Sequence, residues 1–159
     1  SNARGLSPER KQELIQAVAK VLPENMKLAL TGSDNERKSL GKDFPSSVVL
    51  VQTSLQELAA LIDQSVGMVS LDTGAAHIAA HLRKPLIVLA SCVGVQWWSP
   101  DMYGFDKLTA GGTGVPSALF TRLDVGSAGH EYAGYAKCLE AIDVDEVANK
   151  ARNVFRMSV

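Results

Sequence analysis

Short apolar runs and polar turns alternate along the first ninety residues of the chain. Four apolar runs, at 27–31, 48–51, 67–71 and 85–90, have the length of strands, and the first three lead through a polar turn into a helix signal. Because the runs show no polar alternation, they are typical of strands buried on both faces. The pattern predicts an α/β fold, a Rossmann-like parallel sheet with helices on both faces, whose ligands bind at the carboxyl ends of the strands.

Capping signals indicate where the helices begin, because Ser, Thr and Asp side chains accept hydrogen bonds from the first free amides of a helix. The sequence predicts five helices. The first is capped by Ser7 and ends near Pro23, and the second, of about two turns, is opened by a capping box from Ser33 to Glu36. The third is capped by Thr53 or Ser54 and runs through Asp63, the fourth runs from about Gly74 to Leu82, and the last is opened by a capping box from Asp143 to Glu146.

The segment from Cys92 to about Tyr135 lacks this periodicity and is rich in glycine and aromatic residues. We expect most of it to form ordered loop, with a short strand near Lys107 to Thr109. A loop of this length is unusual in a compact domain and favours a functional or partner-facing role. Trp97 and Trp98 are predicted to pack in the fold or at an interdomain face.

Composition limits the classes of protein that the chain can belong to. Its 159 residues, 46% of them hydrophobic, predict a single domain over 4–159, and Ser1-Asn2-Ala3 reads as a cloning scar. A net charge of -1 without a basic run argues against nucleic acid and anionic membrane surfaces as partners. Two distant cysteines, Cys92 and Cys138, predict no disulfide framework, and no apolar run is long enough to span a membrane. These features predict a cytoplasmic protein with a small polar ligand.

The most informative motif follows the third apolar run, where Asp72, Thr73 and Gly74 come before a helix. The first amides of a helix lack internal partners and the helix dipole favours anions there, so a phosphate would fit at this turn. Asp72 would be free to meet ligand hydroxyls or to order the turn, and His77, one helical turn beyond Thr73, would point toward the same site. The structural alternative is that these residues only cap a helix, as in any α/β domain.

Other motifs argue against metal sites and hydrolases. His77 and His81 have the spacing of a zinc pair, but Ile78 stands where a zinc protease needs glutamate, so we predict no metal. Ser127 lacks the first glycine of a nucleophile elbow, and Gly41-Lys42 lacks the rest of a P-loop.

Taken together, these residues resemble the second, donor-binding domain of the heptosyltransferase family, glycosyltransferase family 9, whose GT-B enzymes transfer heptose from ADP-heptose to lipopolysaccharide core. The resemblance covers about Leu28 to Pro100 and resumes at Cys138. Five segments carry the resemblance. They are the Gly32 turn with Glu36 four residues later, the run from Thr53 to Leu58 entering a helix, the D-T-G-x-x-H block from Asp72 to His77, Arg83-Lys84-Pro85 before the next strand, and Cys138 to Ile142 before the last helix. The stretch Ala90 to Gly94 departs from the glycine-proline-threonine loop of the family.

The resemblance implies one half of a GT-B fold and an inverting transfer from a nucleotide-diphosphate sugar, most simply ADP-heptose, to a glycan. The donor-binding residues that it implies are Gly32, Glu36, Thr53, Asp72, Thr73, Gly74 and His77. Glu36 would bind the ribose or base of the donor, in competition with its capping role, and Thr53 has the alternative of being only a helix cap. No cofactor and no metal ion is implied.

The family carries its catalytic base in an amino-terminal acceptor domain that this chain lacks, and the lysine-bearing segment at the start of the donor domain has no counterpart here. We therefore expect no catalytic residue in this chain and no transfer by the chain alone. The full-length protein would be cytoplasmic, or peripheral at the inner face of the inner membrane. The alternative interpretation is a non-catalytic module that binds nucleotide sugars or docks a partner.

Overall fold

Helices and strands alternate along the chain, as the apolar pattern predicts. The computed structural model describes residues 6–40, 43–71, 73–90, 120–124 and 142–156. The elements in these ranges are α1 Pro8–Val21, β1 Leu28–Leu30, α2 Asp34–Ser39, β2 Val48–Leu50, α3 Leu55–Gln64, β3 Met68–Leu71, α4 Gly74–His81, β4 Leu86–Ala90, β5 Phe120–Asp124 and α5 Val144–Arg156. Within these ranges, none of the helices has the length and apolar character needed to cross a membrane.

All the described strands pair in parallel, but they form two sheets and not one. β1 pairs with β2, and β4 lies between β3 and β5. The parallel pairing and the alternation with helices confirm the predicted Rossmann-like α/β class.

β5 lies inside the segment for which the sequence predicts mainly loop, so that prediction is wrong for 120–124. Polar residues interrupt this strand, and pairing with β4 is what selects its extended conformation. The strand predicted near Lys107 to Thr109 lies outside the described residues, as do Trp97, Trp98 and both cysteines.

Two apolar clusters cover opposite faces of the larger sheet. In β4, Ile87 and Leu89 point to one face, and Leu86 and Val88 point to the other. The first cluster, which we call the α1/α5 cluster, contains Leu6, Val18, Ile87, Leu89, Ile142, Val147, Ala151, Val154 and Phe155. The second, the α3/α4 cluster, contains Ile62, Ala76, Ala79, Ala80, Leu86 and Val88. The result is a sheet between two layers of helices, with β4 buried on both faces.

The smaller sheet departs from the prediction that every strand is buried on both faces. In β2, Val49 is 43% exposed and Leu50 is 50% exposed. The neighbouring helix α2 contributes no buried residue. Because no described helix layer covers β2, apolar composition alone does not bury this strand.

The helix boundaries follow the capping signals closely. Ser7 caps α1 by accepting a hydrogen bond from the Arg10 amide at 3.2 Å. Asp143 Oδ1 accepts hydrogen bonds from the amides of Asp145 and Glu146 at 2.9 and 3.2 Å. Local side-chain chemistry therefore fixes where these two helices begin.

Helix α4 ends in a left-handed residue that is not glycine. Arg83 has a φ of 57°. The Arg83 amide donates to the Ala80 carbonyl at 3.0 Å, and the Lys84 amide donates to the Ala79 carbonyl at 3.0 Å. This pair of bonds is a Schellman motif, in which the left-handed position usually carries glycine.

Candidate functional site

Three strand-to-helix turns carry the residues that the sequence assigns to donor binding. They follow β1, β2 and β3 and lead into α2, α3 and α4. In a parallel α/β fold such turns lie at the carboxyl edge of the sheet, which is where ligands bind. Gly32 and Glu36 belong to the first turn, Thr53 to the second, and Thr73, Gly74 and His77 to the third. Asp72 lies outside the described residues.

At the first turn, Glu36 closes a complete capping box with Ser33. Its Oε2 accepts hydrogen bonds from the Ser33 amide at 2.9 Å and from the Ser33 hydroxyl at 2.8 Å. The Glu36 amide donates in return to Ser33 Oγ at 3.3 Å. These bonds stabilise the charged carboxylate and lower the pKa of Glu36 below its usual value of 4.5.

The capping box leaves room for a second role at Glu36. All its carboxylate bonds in the described part of the chain use Oε2, and Oε1 has no partner there. A Cβ added at Gly32 would lie 3.4 Å from Glu36 Oε2, so the glycine keeps the approach to this carboxylate open. The two roles expected to compete for Glu36 therefore use different oxygen atoms.

At the second turn, Ser54 and not Thr53 caps the helix. Ser54 Oγ accepts a hydrogen bond from the Glu57 amide at 3.3 Å, and Glu57 Oε2 accepts one from the Ser54 amide at 2.7 Å. These bonds lower the pKa of Glu57. The interpretation of Thr53 as merely a helix cap is therefore wrong. Its half-buried side chain makes no hydrogen bond to any described residue.

At the third turn, Thr73 is the N-cap of α4 but its hydroxyl does not cap the helix. Its carbonyl accepts the amides of Ala76 at 3.0 Å and of His77 at 3.3 Å. The amides of Gly74 and Ala75 find no acceptor among the described residues. A Cβ added at Gly74 would meet no described atom within 4 Å, so space remains in front of this helix start.

Ser70 is a residue of this turn that sequence reasoning missed. Its hydroxyl lies 3.3 Å from Thr73 Oγ1 and donates to the Leu71 carbonyl at 2.7 Å. The available signal was a single hydroxyl within an apolar strand, one residue from the strand's end. Ser70 and Thr73 bring two hydroxyl groups together beside the first amides of α4.

The histidines of α4 form no recognisable metal site. His77 is half-buried one turn into the helix, and His81 is exposed in the last turn. Within the described ranges, no group of three or more His, Cys, Asp or Glu side chains could hold a metal ion.

A shallow groove of about 260 Å³ lies beside the first two turns and was not predicted. Its described lining residues are Asp34, Arg37, Lys38 and Leu50. Asp34 and Arg37 form an ion pair within α2. None of its described lining residues is expected to bind the donor. The Gly74 and Ala75 amides, which have no acceptor among the described residues, offer a more specific anion-binding chemistry.

The structure groups the predicted residues turn by turn. Gly32 lies against Glu36 at the first turn, and the Thr73 hydroxyl lies against Ser70 at the third.

Comparison with known proteins supports the resemblance to glycosyltransferases. The family model described as glycosyltransferase family 9 (heptosyltransferase) matches residues 12–91, just over half of the chain. The matched range contains all three strand-to-helix turns, whereas α5 lies beyond it. No curated protein and no solved structure matches the chain significantly.

Proposed function

Because the chain belongs to glycosyltransferase family 9, the heptosyltransferase family, we propose that residues 4–159 form the donor-binding domain of an inverting glycosyltransferase that uses ADP-heptose. The family makes the chain a transferase domain and implies a nucleotide-sugar donor. The identity of the sugar, the inverting course and a lipopolysaccharide acceptor are part of the proposal.

One observation carries the proposal: the start of α4 offers an anion hydrogen-bond donors that have no partner among the described residues. Gly74 and Ala75 present amides without acceptors among the described residues, and the Thr73 hydroxyl is not used as a cap. The helix dipole adds a favourable potential at the same point. A diphosphate is the part of a nucleotide sugar that matches these donors.

The same donors would also favour the chemical step. As the sugar leaves, negative charge grows on the diphosphate, and fixed amide and hydroxyl donors stabilise that charge more strongly in the transition state than in the bound donor. A base from the amino-terminal acceptor domain would deprotonate the acceptor. This chain then contributes binding and leaving-group stabilisation, and no catalytic residue of its own.

The other two turns would hold the nucleoside and the sugar. Glu36 Oε1, which has no described partner, suits a ribose hydroxyl. The Thr53 hydroxyl, which has no hydrogen bond to a described residue, suits a polar group of the donor. We assign Asp72 to sugar hydroxyls and His77 to the phosphate side of the donor, because both belong to the same turn as Thr73.

A Thr73→Val substitution tests the donor site. The valine keeps the shape but loses one hydrogen bond to a charged group, which is worth about 1.5 to 3 kcal/mol. We expect the affinity for ADP to fall by about 10- to 150-fold. Thermal stability should change little, because the hydroxyl does not cap the helix and its 3.3 Å contact with the Ser70 hydroxyl is exposed. Titration calorimetry with ADP and a thermal melt measure the two quantities.

Ser7→Ala is the matched control at another helix start. It removes the α1 cap, so it should cost about 1 kcal/mol of stability and leave ADP affinity unchanged. The opposite result, in which Thr73→Val destabilises the fold and ADP still binds normally, would make Thr73 a structural residue only.

Two further outcomes separate the proposal from its alternatives. We expect weak ADP binding and no transfer from ADP-heptose by this chain alone, because the acceptor domain supplies the base. Turnover by the chain alone would refute the assignment of the base to another domain. Complete lack of nucleotide binding would favour a partner-docking module.

A further inference from the structure

Lys11 is a basic residue to which the proposed donor site assigns no role. It lies one turn into α1 and is half-buried. Its ammonium group forms no hydrogen bond or ion pair with any described residue. A lysine that loses solvent without gaining a partner is suited to bind an anion.

The direction of α1 places Lys11 at the edge of the sheet that carries the three turns. Val18 and Leu22, near the end of α1, pack in the α1/α5 cluster together with Leu28, the first residue of β1. The end of α1 therefore lies beside the start of β1. Because the 14 residues of α1 span about 21 Å, its first turn lies toward the opposite edge, where β1 ends and the Glu36 turn follows.

A hydrogen bond fixes the register between α1 and the segment that follows β1. Gln16 Nε2 donates to the Asp43 carbonyl at 3.4 Å. Helix α1 and the segment from α2 to Asp43 run in the same direction, because each leads away from the carboxyl edge of the sheet toward the start of the next strand. Going back from this bond, five residues of helix, about 7.5 Å, lead to Lys11, and seven residues lead to Glu36. The two residues therefore lie side by side near the same edge.

Electrostatics supports this placement independently. Hydrogen bonds from Ser33 are the main reason why the pKa of Glu36 is lowered, and the positive charge of Lys11 lowers it further. A charge must lie near the carboxylate to have this effect, because water and salt screen distant charges. The bonds that the carboxylate makes to described residues all come from Ser33, so the lysine is near Glu36 without being bonded to it.

A negatively charged donor needs a cation at this point. Because its pKa is lowered, Glu36 is ionised at neutral pH, and its carboxylate would repel a phosphate bound nearby. Arg10 forms an ion pair with Glu13 on α1. Arg37 forms one with Asp34 on α2. The lysine beside them, which has no ion pair with a described residue, is therefore suited to offset the repulsion.

We propose that Lys11 is a further binding residue of the donor site and that its ammonium binds the phosphate nearest to the nucleoside. This inference rests on the proposed function, because the phosphate belongs to the nucleotide donor. Glu36 Oε1 then binds the ribose, Lys11 the adjacent phosphate, and the first amides of α4 the phosphate beyond it. The flexible stem of lysine allows its ammonium to reach the ligand from the side of α1.

Lys11→Met tests the proposal, because methionine keeps an unbranched apolar stem and lacks the charge. Titration calorimetry should show that the affinity for ADP falls by about 5- to 50-fold, the effect of one charge-assisted hydrogen bond that is partly exposed to solvent. The affinity for AMP should fall by a similar factor, because AMP retains the phosphate nearest to the nucleoside. In an NMR titration, which detects weak binding, the affinity for adenosine should change by less than about twofold, because adenosine has no charge for the lysine to bind.

Two variants are matched controls. Lys11→Arg keeps the positive charge, and its affinity for ADP should stay within about threefold of that of the native chain. Lys20→Met removes an exposed lysine at the other end of α1 and should leave the affinity for ADP unchanged.

The outcomes separate this inference from the proposed function. If Thr73→Val weakens ADP binding and Lys11→Met does not, the donor site stands but Lys11 does not bind the donor. If Lys11→Met weakens the binding of adenosine and ADP equally, or if Lys11→Arg loses as much affinity as Lys11→Met, the lysine has a structural role and the proposal is wrong. Absence of ADP binding to the native chain would refute both the proposed function and the role of Lys11.

Discussion

Gly67 lies where the chain enters β3, and it has no room for a side chain. A Cβ at this position would lie 2.4 Å from Phe155 Cε1, 2.6 Å from Phe155 Cδ1 and 2.8 Å from the Pro85 carbonyl oxygen. Ordinary contacts of this kind are about 3.5 Å or longer. Phe155 is 5% exposed within the α1/α5 cluster, and the Pro85 carbonyl accepts the Met68 amide, so neither group can move freely.

We predict that Gly67→Ala lowers the free energy of unfolding by about 1 to 3 kcal/mol, the usual cost of overpacking. Restricting the unfolded chain offsets this by about 0.4 to 1 kcal/mol at most, since alanine is less flexible than glycine. After this offset the net loss is at most about 2.6 kcal/mol, so for a chain of this length the melting temperature should fall by up to about 10 °C. Urea denaturation and a thermal melt give both values.

Gly74→Ala is the matched control for stability, because its added Cβ meets no described atom within 4 Å. It should raise the free energy of unfolding by about 0.4 to 1 kcal/mol, because only the restriction of the unfolded chain remains. In a Phe155→Leu background, where the ring is absent, Gly67→Ala should cost at least about 0.5 kcal/mol less than in the native chain. Equal costs in the two backgrounds, or a fully stable Gly67→Ala protein, would refute the packing argument.

Three further predictions concern the helix ends. Ser54→Ala should lower stability by about 1 kcal/mol in urea denaturation, whereas Thr53→Val should leave stability unchanged and weaken ADP binding in a titration. Arg83→Gly should raise the free energy of unfolding by up to about 1 kcal/mol, because glycine adopts the φ of 57° without strain, and equal or lower stability would contradict this. Hydrogen bonds from the Ser33 amide and hydroxyl lower the pKa of Glu36 from 4.5. These bonds therefore stabilise the folded protein fully above pH 4.5, and this stabilisation is lost as the pH falls through the lowered pKa. Ser33→Ala should therefore make the loss of stability in acid shallower in urea titrations at several pH values.

The sequence predicted most of the fold up to residue 90 because the relevant signals there are local. Ser7, Ser33 and Ser54 begin helices through bonds to amides three residues away, and such bonds form wherever the chain places the residues in that order. The failures concern β2 and β5. β2 is apolar but exposed, and β5 contains polar residues but pairs with β4. Burial and pairing depend on neighbours that are distant in sequence, so composition did not reveal them.

For the candidate site, the sequence identified the turn chemistry but not how its atoms are used. Glu36 was recognised as both cap and possible ligand, and only the structure assigned the capping bonds to Oε2. The threonine and serine at 53 and 54 were equivalent candidates for the cap until the structure selected Ser54. Ser70 was missed because a hydroxyl in a strand carries no motif, and its distance to Thr73 appears only once the turn is folded.

The sequence by itself determined the α/β class, the family and the order of the elements up to residue 90, because periodicity, capping signals and short motifs each involve residues close together in the chain. Tertiary structure alone decided that the described strands form two sheets and that the Phe155 ring needs a glycine at position 67. These features join residues far apart in the chain. The contribution of such features to stability depends on the distances between packed atoms and on the pairing of backbone hydrogen-bond groups. Neither can be read from local sequence.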